Sequence, residues 1–249
     1  MCKKKYSAIG TRNESSLHKT LKFQYAGPGG KTEAVVGEFV ADALRRDGEY
    51  IEVQTGSFAP LKKKVKEIAA NSASGAVSGK VRGRRTVQSC RIVRIIHPVA
   101  VTKVIEVYSP LEKLLYRRKS PVHGSIWNIF DALLYAPELP LINGVKIEIV
   151  LCDITEKRVK DGKGSWRRKG ISIKDKELSA WRESVLLSKP ADYLRFVPFK
   201  KSEEFTVSSM AEKAEISRIT AQKTLYVLTK MKIVKKTGKK GNAWVYKRK

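Results

Sequence analysis

The sequence has little of what would hold a metal through sulfur or staple a secreted fold. Its three cysteines, Cys2, Cys90 and Cys152, are far apart, odd in number and lack metal-ligand spacing. That excludes a disulfide framework and a cysteine zinc site, and fits a reducing compartment. The three histidines, His18, His97 and His123, are equally scattered. No run approaches the roughly 20 apolar residues of a membrane span. The charged N-terminus "MCKKKYSAIGTRNESS" lacks the apolar stretch of a signal peptide, so the expected location is cytoplasmic, away from membranes. "GPGGK" at 27–31 lacks the spacing and the Ser/Thr of a Walker phosphate loop. Nothing suggests ATP, a nicotinamide or a serine triad.

Acidic residues are also scarce. Against 24 Asp and Glu stand 51 Lys and Arg, a formal charge of +27 in 249 residues. Such an excess repels itself on folding and is the composition of a chain that meets a polyanion, nucleic acid before an anionic membrane surface. Hydrophobic residues make up 42%, enough for a buried core.

Along the chain, residues 1–13 read as a basic tail. "SSLHKTLKFQYA" places Leu17 and Leu21 at helical spacing. Strands are expected near 33–36, 39–45 and 49–55, then a helix near 58–70 capped by Ser57, with Leu61, Val65 and Ile68 as its stripe. Residues 71–89 have the composition of a flexible basic insertion. "CRIVRIIHPVAV" and "TKVIEVYS" read as two strands, "YRRKSPVHG" as a basic loop, "SIWNIFDALLYAP" as an amphipathic helix and "VKIEIVLCDITEKRV" as a long strand. Trp166, in the loop "SWRRKG", either stacks on a base with Arg167 and Arg168 on phosphates, or anchors the loop.

The texture changes near Pro190–Pro198. Thr206 or Ser208 can cap a helix, "AEIS" turns, and a second helix runs from about Arg218 to Met231 with Ala221, Leu225 and Leu228 inward. Two strands follow around Gly238 and Gly241. This order, over 203–249, resembles the winged helix-turn-helix family. The resemblance implies that Ser217, Arg218, Thr220, Gln222 and Lys223 face DNA. From Lys230 to Lys249 there are nine Lys or Arg and no acid, and Lys235, Lys236, Lys239 and Lys240 are candidates for phosphates. A protein-docking role for the same module stands beside this reading.

The stretch "DGEYIEVQTG" (47–56) carries the sharpest question. If Arg46, Asp47 and Gly48 form a three-residue loop, Arg45 pairs with Glu49 and Asp42 lies opposite Glu52. Opposed carboxylates repel and raise each other's pKa unless a cation intervenes, and a hard ion such as Mg²⁺ prefers such oxygens. The plainer account leaves Glu52 and Gln54 on the wet face of a two-sided sheet and Asp42 as an ordinary hairpin residue. His97 reads as a satisfied core histidine.

Asp42 with Glu52-Val53-Gln54 resembles the D…(D/E)-x-K core of the PD-(D/E)XK, or restriction-endonuclease-like, nuclease superfamily. The order helix, three-stranded meander, helix, strand resembles it as well. More narrowly, "GEFVADALRRDGEYIEVQTGSF" is similar to a poorly characterised bacterial family with "D…IEIQT" cores, a "WRR" loop and a C-terminal winged helix. The resemblance implies an α/β fold over 14–195, a mixed sheet flanked by helices, followed by the winged helix. It implies that Asp42, Glu52 and the Val53 carbonyl hold Mg²⁺ or Mn²⁺, that Glu14 or His18 joins the site, and that the reaction is hydrolysis of DNA phosphodiesters. Repair, phage defence and mobile-element processing all suit that chemistry, and paired cuts would call for a homodimer. The superfamily lysine is Gln54 here, an amide that orients water but carries no charge. Lys62 or Lys63 on the next helix is the nearest replacement. A non-catalytic DNA-binding regulator and an RNA-directed nuclease or binder are the competing expectations.

Overall fold

The computed structural model describes residues 14–36, 38–74 and 92–249. The N-terminal tail 1–13 and residues 75–89 of the expected insertion lie outside them, as do Cys2 and Cys90.

Helix α1 (Ser16–Ala26) begins where the Ser15 hydroxyl accepts the His18 N–H, the bond a serine N-cap supplies. It buries Leu17, Leu21 and Tyr25. Three antiparallel strands follow, β1 (Lys31–Val36), β2 (Phe39–Leu44) and β3 (Tyr50–Val53). The turn between β2 and β3 is the expected three-residue loop: Arg45 N–H donates to Glu49, Gly48 N–H donates to Arg45, and Gly48 takes φ +88°. Helix α2 (Leu61–Ser74) starts later and runs further than its sequence suggested. Ser57 precedes the helix and bonds Ala59 N–H instead of capping it, and residues 71–74 are helical.

The two strands expected across 90–109 are one, β4 (Val93–Tyr108), with a bulge between Ala100 and Thr102. A bulge shifts the side-chain alternation by one, which makes one strand read as two. Residues Tyr116–Lys119 are not loop but the end of β5 (Leu114–Lys119), antiparallel to β4. The helix expected in "SIWNIFDALLYAP" reduces to a 3-10 turn, Ile126–Asn128, and a short α3 (Ile129–Leu133). Strand β6 (Val145–Val159) runs parallel to β4 for its whole length, and β7 (Ser172–Leu187), which sequence reasoning left unassigned, closes the edge antiparallel to β6. The result is a seven-stranded mixed sheet with path β1-β2-β3-β4-β6-β7 and β5 on β4.

Both faces of this sheet are covered. On one, α1 packs Leu17, Leu21 and Tyr25 on Ile51, Val53, Ile96 and Val150. On the other, Phe58 and the Leu61, Val65, Ile68 stripe of α2 pack on Val93, Ile95, Ile147 and Ile149 together with α3. A sheet buried on both sides reads as continuous apolar strands, as β4 and β6 do.

At the C-terminus, β8 (Glu204–Phe205), α4 (Val207–Lys213), α5 (Arg218–Lys230), β9 (Val234–Lys240) and β10 (Ala243–Arg248) form two helices on a three-stranded sheet ordered β8-β10-β9. Thr206 and Ser217 cap the two helices. Their apolar faces join the α2 and α3 core: Phe205, Met210, Ala221 and Leu225 belong to one cluster with Phe130 and Leu133. Among the described residues no helix is long and apolar enough to cross a membrane.

Candidate functional site

The ladder between β2 and β3 pairs Leu44 with Tyr50 and Ala43 with Ile51, then stops. One step further the same register sets Asp42 opposite Glu52. In a continued antiparallel ladder the Val53 N–H would bond the facing main chain. It donates instead to Asp42 Oδ2 at 2.7 Å, so the strands splay around that carboxylate.

Four polar side chains converge on the splayed end. His18 of α1 lies between two carboxylates, with Nδ1 2.5 Å from Glu14 Oε1 and Nε2 3.3 Å from Asp42 Oδ2. Nε2 also lies 3.0 Å from the Val53 carbonyl, which accepts its hydrogen bond when the nitrogen is protonated. Lys22, a buried residue of α1, bonds Glu14 at 2.8 Å and Glu33 at 3.3 Å. Glu14 thus joins the site, from the residue before the cap and not from the helix itself.

Glu52 is 2% exposed, so it is not on a wet face. The reason is the second layer: α2 covers that side of the sheet. Lys64 of α2 reaches it, donating from Nζ to Oε2 at 2.6 Å. Oε1 lies 2.5 Å from the same nitrogen but outside hydrogen-bonding geometry, leaving a buried oxygen with only a charge contact.

The electrostatics divide the two carboxylates. Burial would raise Asp42, but the hydrogen bonds from His18 and the Val53 N–H outweigh it and hold its pKa below the usual carboxylate range. Burial likewise opposes charge on His18, yet Asp42 and Glu14 raise its pKa above that of an ordinary imidazole. Glu52 is pushed up to about 7, chiefly by burial, with Lys64 opposing and the charge of Asp42 adding.

Gln54 does not take the lysine's place. Its amide Nε2 donates to the Ser57 carbonyl at 2.6 Å, its N–H to Ile96, and its carbonyl faces His97 Nδ1 at 2.6 Å. Lys62 pairs with Glu138, and Lys63 lies over the Phe39 ring and near Glu67. Lys64 was missed, although it lies within the Leu61, Val65, Ile68 stripe, three positions after Leu61 and four before Ile68. Among the described residues, no three His, Cys, Asp or Glu side chains are grouped as a ready metal cage.

The other candidates lie elsewhere. Arg218, Ile219, Gln222, Tyr226 and Lys230 form the exposed face of α5, of which Ile219 and Tyr226 had not been singled out. Thr220 is occupied with Ser217, their hydroxyls 2.9 Å apart, and Lys223 pairs with Asp131 of α3 at 2.6 Å. Lys235, Lys236, Lys239 and Lys240 are exposed on β9, with Lys236 and Lys239 4.2 and 4.7 Å from the centre of the Trp244 ring. Trp166 does not anchor its loop: it is 85% exposed, with Arg167 exposed beside it and Arg168 bonded to the Ile171 carbonyl.

The fold and site define an α/β protein with a two-faced mixed sheet, a buried carboxylate–lysine pair and a basic C-terminal unit of two helices on a three-stranded sheet. The chain belongs to a family described as a domain of unknown function, DUF8091, which it matches over residues 15–77 and 76–188. It is 25% identical over 170 residues to an uncharacterized protein of Treponema pallidum (strain Nichols). That alignment covers 68% of this chain and 60% of the Treponema protein. No solved structure matches.

Proposed function

We propose that this protein is a metal-dependent nuclease that hydrolyses DNA phosphodiesters, with a PD-(D/E)XK-like core and a winged-helix DNA-binding unit. The observation that carries the reading is the meeting of Asp42, Glu52, Val53 and Lys64 at the splayed end of one hairpin in a chain of charge +27.

The donors suit Mg²⁺ or Mn²⁺: two carboxylates and a main-chain carbonyl are hard oxygens. Glu52 Oε1 is a buried oxygen with no hydrogen bond, and the Lys64 ammonium already seats a cation there. Asp42, Glu52 and the Val53 carbonyl would hold the ion. When bound, it lowers the pKa of a water nucleophile and offsets charge on the phosphate. The remaining work falls to the chain. His18 and the Val53 N–H keep Asp42 ionised. Lys64 supplies the positive charge that Gln54 lacks, brought from the helix instead of the strand. Glu14 and Lys22 hold the His18 ring in place. The exposed face of α5 and the lysines of β9 would position the duplex through base edges and phosphates.

A second reading is a DNA-binding protein without chemistry. It is favoured by Gln54, whose amide is committed to Ser57, and by the neutralisation of both carboxylates by cations of the chain itself. Incubating the protein and an Asp42→Ala, Glu52→Ala double variant with linear, supercoiled and branched DNA, in Mg²⁺, Mn²⁺ or EDTA, separates the two. Cutting that needs metal and vanishes in the variant is expected. Binding without cutting on every substrate overturns the nuclease. The same series on RNA tests the third expectation.

A further inference from the structure

Strands β3 and β5 share one edge of β4 but do not meet. The β3 pairing ends at Val53–Ile96, and the β5 pairing begins at Lys119–Val104. Pro98 lies in this gap, where its missing N–H costs no ladder bond. The chain after β5 crosses the gap once, with Gly124 N–H bonded to Ala100 O, so close that a methyl on Gly124 would lie 2.5 Å from that oxygen. What remains is a cavity of about 330 Å³, at the small end of ligand sites.

Its position relates it to the carboxylates. Glu52 lies beside Ile95 in the parallel β3–β4 register, and His97 is two residues further along the same face. Two residues of strand span about 7 Å, comparable to one nucleotide step. Val99 and Ala132 give apolar walls, Lys103 a cation, and Asn128 and Asp131 polar groups. His97 is 6% exposed and sits at the back. Its Nδ1 donates to the Gln54 carbonyl, so the neutral ring presents Nε2 as an acceptor, with no hydrogen-bond partner among the described residues. Burial keeps that ring neutral. Asp131 already holds Lys223 and Asn128, so His97 Nε2 is the open acceptor of this lining.

We propose that this cavity receives one unstacked nucleobase carrying an exocyclic amino group, from a strand whose adjacent phosphate lies at the Asp42–Glu52 site. A pocket with apolar walls and a polar back is how a protein reads an extruded base. An amino-bearing base offers its exocyclic N–H to His97 Nε2, whereas thymine has no amino group to donate there. The inference rests on the reading that the chain handles nucleic acid at that site.

The test is binding in EDTA of four fluorescent single strands: oligothymidylate, and the same strand with one central guanine, one central adenine or one abasic position. Guanine and adenine are expected to bind about tenfold tighter than thymine, the difference one satisfied buried polar group makes. The abasic strand gains nothing. His97→Ala and His97→Phe erase the preference and leave oligothymidylate binding unchanged. His97→Phe keeps an aromatic ring against Phe58 while removing Nε2, so its effect does not rest on a lost core contact. Four strands that bind equally, or a preference that survives both variants, overturn the base pocket and leave the nuclease reading intact. Failure to bind any single strand overturns the base pocket, and failure to bind duplex DNA as well overturns both.

Discussion

Lys64 of α2 seats its ammonium against both oxygens of the buried Glu52 carboxylate of β3, 2.5 and 2.6 Å away. Removing one partner of such a pair strands a charge in the interior. Lys64→Met is expected to destabilise the fold by about 3–5 kcal/mol in denaturant unfolding at pH 8, and the Lys64→Met, Glu52→Gln double variant to recover most of it. The sign with pH follows from Glu52. Its folded pKa is raised, so its ionised form costs stability above its ordinary value of 4.5, and the Lys64→Met penalty shrinks toward pH 5. Single and double variants of equal stability would show that the pair is not coupled.

That pair shows where the sequence was legible and where it was not. The Asp-Gly turn and the alternation after it left the β2–β3 register conditional on loop length, and the three-residue loop with a left-handed Gly48 sets the pairing of Asp42 opposite Glu52. The burial of Glu52 needed α2 on that face, a tertiary fact that strand alternation cannot carry. The choice among Lys62, Lys63 and Lys64 turned on helix phase, which the apolar stripe held and a late helix start obscured. Strand β7 went unassigned because it is an edge strand in which three bulges in its pairing with β6 break the alternation of Leu178, Trp181, Val185 and Leu187. The order of the last 48 residues was legible because caps, apolar spacing and turn glycines agree there.

The C-terminal unit shares its core with the large sheet, so the two are expected to unfold together. Phe130 is fully buried, 4.8 Å from Phe196 edge to face, in the cluster that includes Leu225 of α5. Phe130→Ala is expected to cost about 3–5 kcal/mol and to shift one cooperative transition seen alike by circular dichroism and tryptophan fluorescence. Two separated transitions, one of them unmoved, would overturn this. Lys223→Ala, which removes a half-exposed ion pair with Asp131, is expected to change stability by about 1 kcal/mol or less.

His97 sets a pH dependence of its own. Burial depresses its pKa below 6.5, while the Gln54 carbonyl and Asp131 oppose that only in part. The unfolded chain therefore takes up this proton first. Stability falls as pH drops through 6.5 and levels off below the folded value. The His97→Gln variant, compared with the parent in urea between pH 8 and pH 5, is expected to lose part of that acid slope. Parallel stability curves for the two proteins would mean that His97 titrates alike folded and unfolded.

The lysines of β9 are expected to reveal themselves through salt. Each phosphate contact on duplex DNA contributes about 0.9 to the log–log slope of affinity against salt. Replacing Lys235, Lys236, Lys239 and Lys240 together with Ala should lower the slope by about 3–4 if all four meet phosphates. Lys236 and Lys239 also lie over the Trp244 ring, and releasing them exposes that face. Trp244→Ala alone, by contrast, should leave the slope nearly unchanged, since it removes no charge. The measurement is fluorescence anisotropy on one duplex across a range of salt. An unchanged slope in the quadruple variant would place the DNA elsewhere on the protein and leave the exposed face of α5 and the Trp166 loop as the surfaces to test next.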